Sequence, residues 1–274
     1  MIFILYTFVI DCAHLARMPL RLLTKLQIFL AYLLNTLFLP IAKILDIKTI
    51  NFLGFSLKGF NFRTLHFLLG EIFVRNDYFF QTDNPKPLII DCGAEVGFTT
   101  SYFKYLFPDS SIYAFEPDSI SFNLLQKNIT ENKFTKTTAL NAAVSNYTGK
   151  AKFYTSDPGN LRMSLRKDRL MGNEVSVKTI KLSEFIKNKT IDYLKIDIEG
   201  HETTVLKDLV RSNAIKKVLQ FGIEYHHHIS PTDISQFSQF LSLLENNGFK
   251  YQLSTRSVQT YNSFQDIMIS AYRI

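Results

Sequence analysis

The chain has 274 residues, of which 46% are hydrophobic, enough to bury a sizeable core in one main domain with an appendage. Its two cysteines, Cys12 and Cys92, lie far apart and form no C-x-x-C pair, so neither a disulfide framework nor a cysteine-based zinc site is supported, and a reducing cytoplasmic setting fits best. The formal net charge of +7 suits an anionic partner, whether membrane headgroups, nucleic acid or an acidic substrate, without choosing among them.

Taken in chain order, the opening "MIFILYTFVI" is an apolar run with no basic segment before it and no small-residue cleavage site after it. It makes a poor signal peptide and is too short to span a bilayer. Leu26 to Ala42 carries no charge but is interrupted by Gln27, Asn35, Thr36 and Pro40, which leaves it at the lower limit for a spanning helix. Arg17, Arg21 and Lys25, at spacings of four beside Leu15, Leu22 and Phe29, form a basic stripe. Two readings of residues 1–45 stand open: a helix lying in the plane of the inner membrane face, or a helical appendage packed on a catalytic domain. Residues 1–70 are thus expected to be a helical segment preceding a domain of residues 71–274.

From Pro87 onward, short apolar runs alternate with segments of helical spacing. Strands are expected at Leu88–Cys92, Ile112–Phe115, Thr138–Val144, Asp192–Ile196, Lys217–Glu224, Phe249–Leu253 and Ile267–Arg273. Helices are expected at Thr99–Phe107, Ser119–Glu131, His201–Ser212 and Asp233–Asn247, the last closed by Gly248. This alternation implies an α/β fold with a doubly wound, mostly parallel seven-stranded sheet, whose ligands bind beyond the carboxyl ends of the strands.

The first strand runs through "LIIDCGAEVGFTT" into a helix, a construction that brings backbone close to a nucleotide. It is not G-x-G-x-x-G, and Glu95 inside the loop would repel a pyrophosphate. The second strand ends in "YAFEPD", where Glu116 can accept both hydroxyls of a ribose, unless Glu116 and Pro117 merely start a turn. Three carboxylates and no GK[ST] favour an adenosyl sulfonium over NAD or ATP.

These stretches, with "NAAVSNYTGKAKFY", "LKIDIEGHE" and the lead-in "EIFVRNDYFF", resemble in order and spacing the FkbM family of S-adenosylmethionine-dependent methyltransferases, over Glu71 to Ile274. The resemblance implies a class I, Rossmann-like methyltransferase fold and methyl transfer usually to oxygen. It implies a cofactor held by positions matching Asp91, Gly93, Gly97 and Glu116, with Ala94, Glu95, Thr99, Pro117 and Ala143 beside them. "TIKLSEF" departs from the family, with Ser183 where many members carry Thr-Leu-Asp, so Ser183 receives no role.

"LKIDIEGHETTVL" concentrates acids at a strand end. In the implied fold the strand ending at Asp197 lies beside the one carrying Glu224 and His226, and Asp197, Glu224 and His226 are the expected catalytic group, orienting and deprotonating an acceptor hydroxyl. Alternation puts Asp197 and Glu199 on one face and Glu224, His226 and His228 on another. Gly200 would let the chain turn closely there. Glu199 and Glu202 also suit a helix N-terminus without any chemistry. "EYHHH" does not read as a zinc site, because consecutive histidines point to opposite faces, and His227 reads as a surface or packing residue. Magnesium on Asp197 and Glu224 is conceivable but not expected.

Ser156 to Glu174 is a polar loop holding Arg162, Arg166, Lys167 and Arg169, either a solvated basic loop or a binding element for an anionic sugar, nucleotide-linked glycan or lipid-phosphate carrier. Nucleic acid is not expected, since Phe153 and Tyr154 read as strand residues and not as a stacking platform. The function expected is S-adenosylmethionine-dependent O-methylation of a sugar or glycan hydroxyl. The alternatives are a non-catalytic, membrane-associated binding protein on the same fold and a nucleotide-sugar oxidoreductase.

Overall fold

The computed structural model describes residues 2–156, 163–167, 169, 172–227, 229, 236–255 and 265–273. Two helices come first, α1 (Ile2–Arg17) and α2 (Leu22–Ile44). The basic stripe expected along one helix is broken: Pro19 falls between them, and a proline ring cannot continue a helical ladder. Arg17 therefore ends α1 and Arg21 caps the start of α2, while the Lys25 ammonium donates to the Ala16 carbonyl at 2.7 Å. The N-terminal segment is not wholly helical either. A hairpin of β1 (Thr49–Phe52) and β2 (Phe55–Lys58) follows, then α3 (Phe62–Leu68) and a π-helical turn over Leu69–Val74.

The central sheet is built from β3 (Leu88–Cys92), β4 (Ser111–Phe115), β5 (Thr137–Leu140), β9 (Ile191–Ile196), β10 (Val218–His227), β11 (Lys250–Thr255) and β12 (Gln265–Tyr272). Their order is β11-β12-β10-β9-β3-β4-β5. From β10 to β5 all neighbours are parallel, and β12 runs antiparallel to both β10 and β11. This is the doubly wound, mostly parallel, seven-stranded sheet expected from the alternation of strands and helices.

Successive strand residues serve opposite faces, as the pleat requires. Ile89 and Tyr193 join a core with Phe52, Phe73, Phe98 and Tyr102, drawn from the hairpin, the π-helical turn and α4 (Phe98–Leu106). Ile90 and Leu194 join the opposite core with Leu182 and Ile186 of α6 (Leu182–Ile186), Val205 and Leu209 of α7 (Glu202–Arg211), and Phe240 of α8 (Phe237–Glu245). Burial on both faces explains why these strands read as continuous apolar runs. α8 begins at Phe237, after Gln236, and residues 233–235 of the expected helix Asp233–Asn247 lie outside the described residues.

The expected strand Thr138–Val144 is divided. β5 stops at Leu140, and β6 (Ala143–Ser145) belongs to a small second sheet with β7 (Gly149–Thr155) and β8 (Asn173–Lys181), in the order β6-β8-β7. Asn141 makes the break by donating its amide to the Glu116 and Pro117 carbonyls at 2.9 and 3.1 Å, which turns the chain toward the end of β4. Phe153 and Tyr154 lie in β7 as expected.

α5 (Ser119–Glu131) joins the hairpin to the sheet. Asn128 accepts from the Lys58 N–H at 2.9 Å and donates to the Lys58 and Val96 carbonyls, both at 2.8 Å. Asn132, just past the helix end, accepts from the Ser56 N–H at 2.8 Å and donates to its carbonyl at 2.9 Å.

Candidate functional site

The parallel strands deliver their carboxyl ends to one edge of the sheet, where open α/β folds bind ligands. Antiparallel β12 adds its beginning to that edge, because Asp266 pairs with His226.

The glycine-rich turn after β3 is held from both sides. Gly93, Glu95 and Gly97 have φ of 84°, 50° and 96°. The Gly93 and Ala94 N–H groups both donate to the Phe115 carbonyl at the end of β4, at 3.0 and 2.9 Å. A Cβ on Gly93 would overlap the Asp197 carbonyl, so glycine is required where the turn meets β9. Glu95 bears a left-handed backbone, a cost of about 1–2 kcal/mol, while its N–H donates to Glu116 Oε2 at 2.9 Å. Asp91 is fully buried and accepts from the Thr99 and Thr100 hydroxyls at 2.6 and 2.9 Å, tying the first turn of α4 to the strand end.

Glu116 receives a second N–H, from Asp118, on Oε1 at 2.8 Å. Burial pushes its carboxyl up to about 8, against the lowering pull of the Asp118 N–H and with further help from the neighbouring Glu95 charge. Burial likewise raises Glu95 to about 8, although Lys195 opposes it. Pro117 lies beside Glu116 with its carbonyl on Asn141, and the Ala143 side chain clusters with Phe153 and Val177 in the small sheet.

The second half of the site is a network of charges. Asp197, Glu224 and His226 are brought together as expected. The Tyr78 hydroxyl lies 3.0 Å from both Asp197 Oδ2 and Glu224 Oε2. Lys195, 1% exposed, donates to the Gly93 carbonyl at 2.6 Å and sits 3.4 Å from Asp91 Oδ1 and 3.3 Å from Asp197 Oδ2. Burial works against its charge, but the Asp197 and Asp91 carboxylates outweigh burial and hold Lys195 above its ordinary value. For Asp197, burial raises the carboxyl while Lys195, His226 and the Tyr78 hydroxyl lower it further, leaving it below the usual range.

His226 is gripped at both nitrogens. Nδ1 lies 2.7 Å from Glu202 Oε1 and Nε2 lies 3.2 Å from Glu199 Oε2, with Asp197 Oδ1 at 3.8 Å and Asp266 Oδ1 at 3.9 Å. Burial disfavours the charged ring, yet Glu199 and Glu202 prevail and carry it well above its ordinary value. The two flanking carboxylates thus favour the charged imidazolium over the neutral ring. Glu202 opens α7 and also accepts from the Gly200 N–H at 2.9 Å, so one side chain holds the turn before the helix and anchors His226. Glu199 also accepts from Arg169 Nε at 2.6 Å. Gly200 has φ of 100°, and a Cβ there would overlap Ile229. His227 packs against Tyr225 and Phe237, while His228 and Arg162 lie outside the described residues.

Among the described residues, two groups have the geometry to hold a cation: Asp197, Glu199 and His226, and Glu224, His226 and Asp266, each with its ligand atoms within 4.8 Å of one another. The carboxylates of the first already face Lys195 and Arg169. Tyr78, Lys195, Arg169 and Asp266 are participants that the sequence reading did not place here. Only Lys195 left a signal, a cation inside the otherwise apolar run from Tyr193 to Ile196.

A family model described as the methyltransferase FkbM domain matches residues 91–251. The chain is 27% identical over 247 residues to methyltransferase sdnD of Sordaria araneosa, covering 76% of this chain and 89% of that one. It is 25% identical over 130 residues to the hexuronic acid methyltransferase AglP of Haloferax volcanii, covering 46% and 52%. A crystal structure of methyltransferase FkbM from Methylobacillus flagellatus aligns with a TM-score of 0.48 at 16% identity, over 86% of this chain and 59% of that chain.

Proposed function

Since the chain belongs to the methyltransferase FkbM family, we propose that it moves a methyl group from S-adenosylmethionine to a hydroxyl of a sugar or glycan. The family match sets aside the oxidoreductase alternative. When bound, the cofactor supplies an electrophilic methyl group on a positively charged sulfur. The residues fit such a molecule. Each Glu116 oxygen accepts one backbone N–H and keeps a lone pair for a ribose hydroxyl, and the acid-rich strand ends suit a cation better than a pyrophosphate.

The observation that carries the reading is the Tyr78 bridge between Asp197 and Glu224, beside the Gly93 turn. A hydroxyl has one hydrogen, and here it serves two O···O contacts of 3.0 Å. A proton arriving on Glu224 can fill the second contact while Asp197 stays charged beside Lys195, so the pair is built to take the proton that an attacking hydroxyl gives up. His226, whose charged form Glu199 and Glu202 favour, orients Glu199 and Asp197 and is not itself the base. Arg166 and Lys167, in the segment beside the Glu199–Gly200 turn, add positive charge suited to an acidic sugar such as the hexuronic acid named for the Haloferax volcanii relative.

The test is incubation of the protein with isotope-labelled S-adenosylmethionine and a panel of neutral and uronic sugars, read by mass spectrometry. Label is expected on oxygen of a sugar, with uronic acceptors preferred. Label on nitrogen or carbon only, or on no acceptor of the panel or of a glycan extract, refutes the assignment.

A further inference from the structure

The outer face of α2 has no role in methyl transfer, and none of the described residues covers it. Leu26, Leu30, Leu34, Leu37, Ile41 and Ile44 recur every three or four residues, and each exposes between 45% and 82% of its surface. That spacing puts them on one side of the helix, along a stripe about 27 Å long. The chain carries no charge from Leu26 to Ala42. A surface groove of about 440 Å³ runs beside the stripe, lined by Leu30, Leu34, Phe52, Leu53 and Tyr105 among others. Scattered apolar residues on a surface are ordinary, but a continuous stripe marks a binding surface.

The inner face is fixed in place by polar contacts. The Tyr32 hydroxyl donates to Asp11 at 2.6 Å, the Asn35 amide donates to the Asn51 carbonyl at 3.0 Å, and the Thr36 hydroxyl meets His66 Nε2 at 2.8 Å. α2 is long and apolar enough to cross a bilayer. Crossing would strip these contacts and present Asn35, Thr36 and the groups they leave behind to hydrocarbon, where unsatisfied polar groups are costly. A helix held in this way can lie on a membrane but not traverse it.

Charge identifies the occupant. Residues 1–70 hold seven Lys and Arg against two acids, Asp11 and Asp46, and so contribute five of the chain's seven excess positive charges. Arg17 and Arg21 are exposed at the start of the stripe, and Lys43 and Lys48 at its end, Lys48 pairing with Asp46 at 3.1 Å. A second copy of the chain laid on this face, parallel or antiparallel, would bring cationic ends together. Anionic headgroups complement both ends at once, and acyl chains suit the stripe between them. We infer that the outer face of α2 docks on an anionic lipid bilayer, with the helix in the membrane plane.

Vesicle flotation with the full chain tests this inference. The parent protein is expected to float with phosphatidylglycerol-containing vesicles and to do so less in pure phosphatidylcholine or in 1 M NaCl, a concentration that shortens the Debye length to about 3 Å. The double variant Leu30→Asp, Leu34→Asp is expected to lose about tenfold or more in vesicle affinity, with its melting temperature and cofactor binding unchanged. Arg17→Glu with Arg21→Glu is expected to abolish the preference for anionic vesicles. Failure of the parent to float, equal flotation of the Leu variant, or retention through alkaline carbonate, which would indicate a span, each overturns the inference. So does a parent dimer that the Leu variant dissociates without any vesicle effect.

Discussion

The protonation of His226 decides which group serves as the base, and it has a thermodynamic signature. Glu199 and Glu202 hold its folded value well above the ordinary 6.5. At pH 6 the ring is charged in both the folded and the unfolded chain, and its stabilisation is fully present. As pH rises past 6.5 the unfolded ring loses its proton while the folded ring keeps it, so stability falls by about 1.4 kcal/mol per pH unit until the folded value is reached. His226→Gln removes this slope. It also removes the cation from buried Glu202, 2% exposed, at a cost of about 3–5 kcal/mol near pH 6. The gap between parent and variant should therefore be widest near pH 6 and should narrow by about 1 kcal/mol between pH 6.5 and 7.5. Other raised groups, Glu95 and Glu116 among them, slope the same way in both proteins and cancel in the difference. Urea unfolding followed by circular dichroism at half-unit pH intervals provides the measurement. Parallel curves from pH 6.5 to 7.5 would mean a neutral ring, and His226 would then replace the Asp197–Glu224 pair as the candidate base.

Lys195→Met leaves Asp91 and Asp197 without their shared cation and should cost about 3–5 kcal/mol, visible as a large drop in melting temperature; an unchanged melt would show that the ion pairs contribute no net stability. Glu116→Ala should weaken S-adenosylmethionine binding by about 1.5–3 kcal/mol, roughly ten- to a hundredfold in a calorimetric Kd, and unaltered affinity would remove Glu116 from the ribose site. Tyr78→Phe deletes the bridge alone, so single-turnover rates at saturating cofactor should fall about tenfold or more while cofactor Kd stays put, and an unchanged rate would make the bridge structural. Activity should survive chelation, because Lys195, Arg169 and His226 already balance the carboxylates; loss with EDTA and recovery with magnesium would turn those carboxylates into metal ligands.

What the sequence made legible followed from local periodicity. Leu88–Cys92 and Ser119–Glu131 were readable because a short apolar run or helical spacing persisted to their ends. The strand running into Val144 was not, since its break depends on an Asn141 amide reaching carbonyls 24 and 25 residues away. Asp197, Glu224 and His226 could be grouped by strand-end logic. Their partners could not: Tyr78 meets Asp197 across 119 residues of chain, a contact that no local pattern encodes. Nor does any local pattern show that the acids are balanced, because Arg169 arrives from a polar loop whose fold the composition leaves open.

The asparagines of α5 have a consequence for solubility. A two-stranded hairpin exposes a row of N–H and C=O groups onto which a strand from another molecule can add. On a helix, residues four apart are separated by about 6 Å, and backbone groups two apart on a strand by about 6.6 Å. Asn128 and Asn132 have the first spacing, Ser56 and Lys58 the second, and each amide offers one donor and one acceptor to the residue it faces. The pair of side chains thus impersonates a neighbouring β-strand, and closes the hairpin's edge to intermolecular growth without spending any chain on a real one.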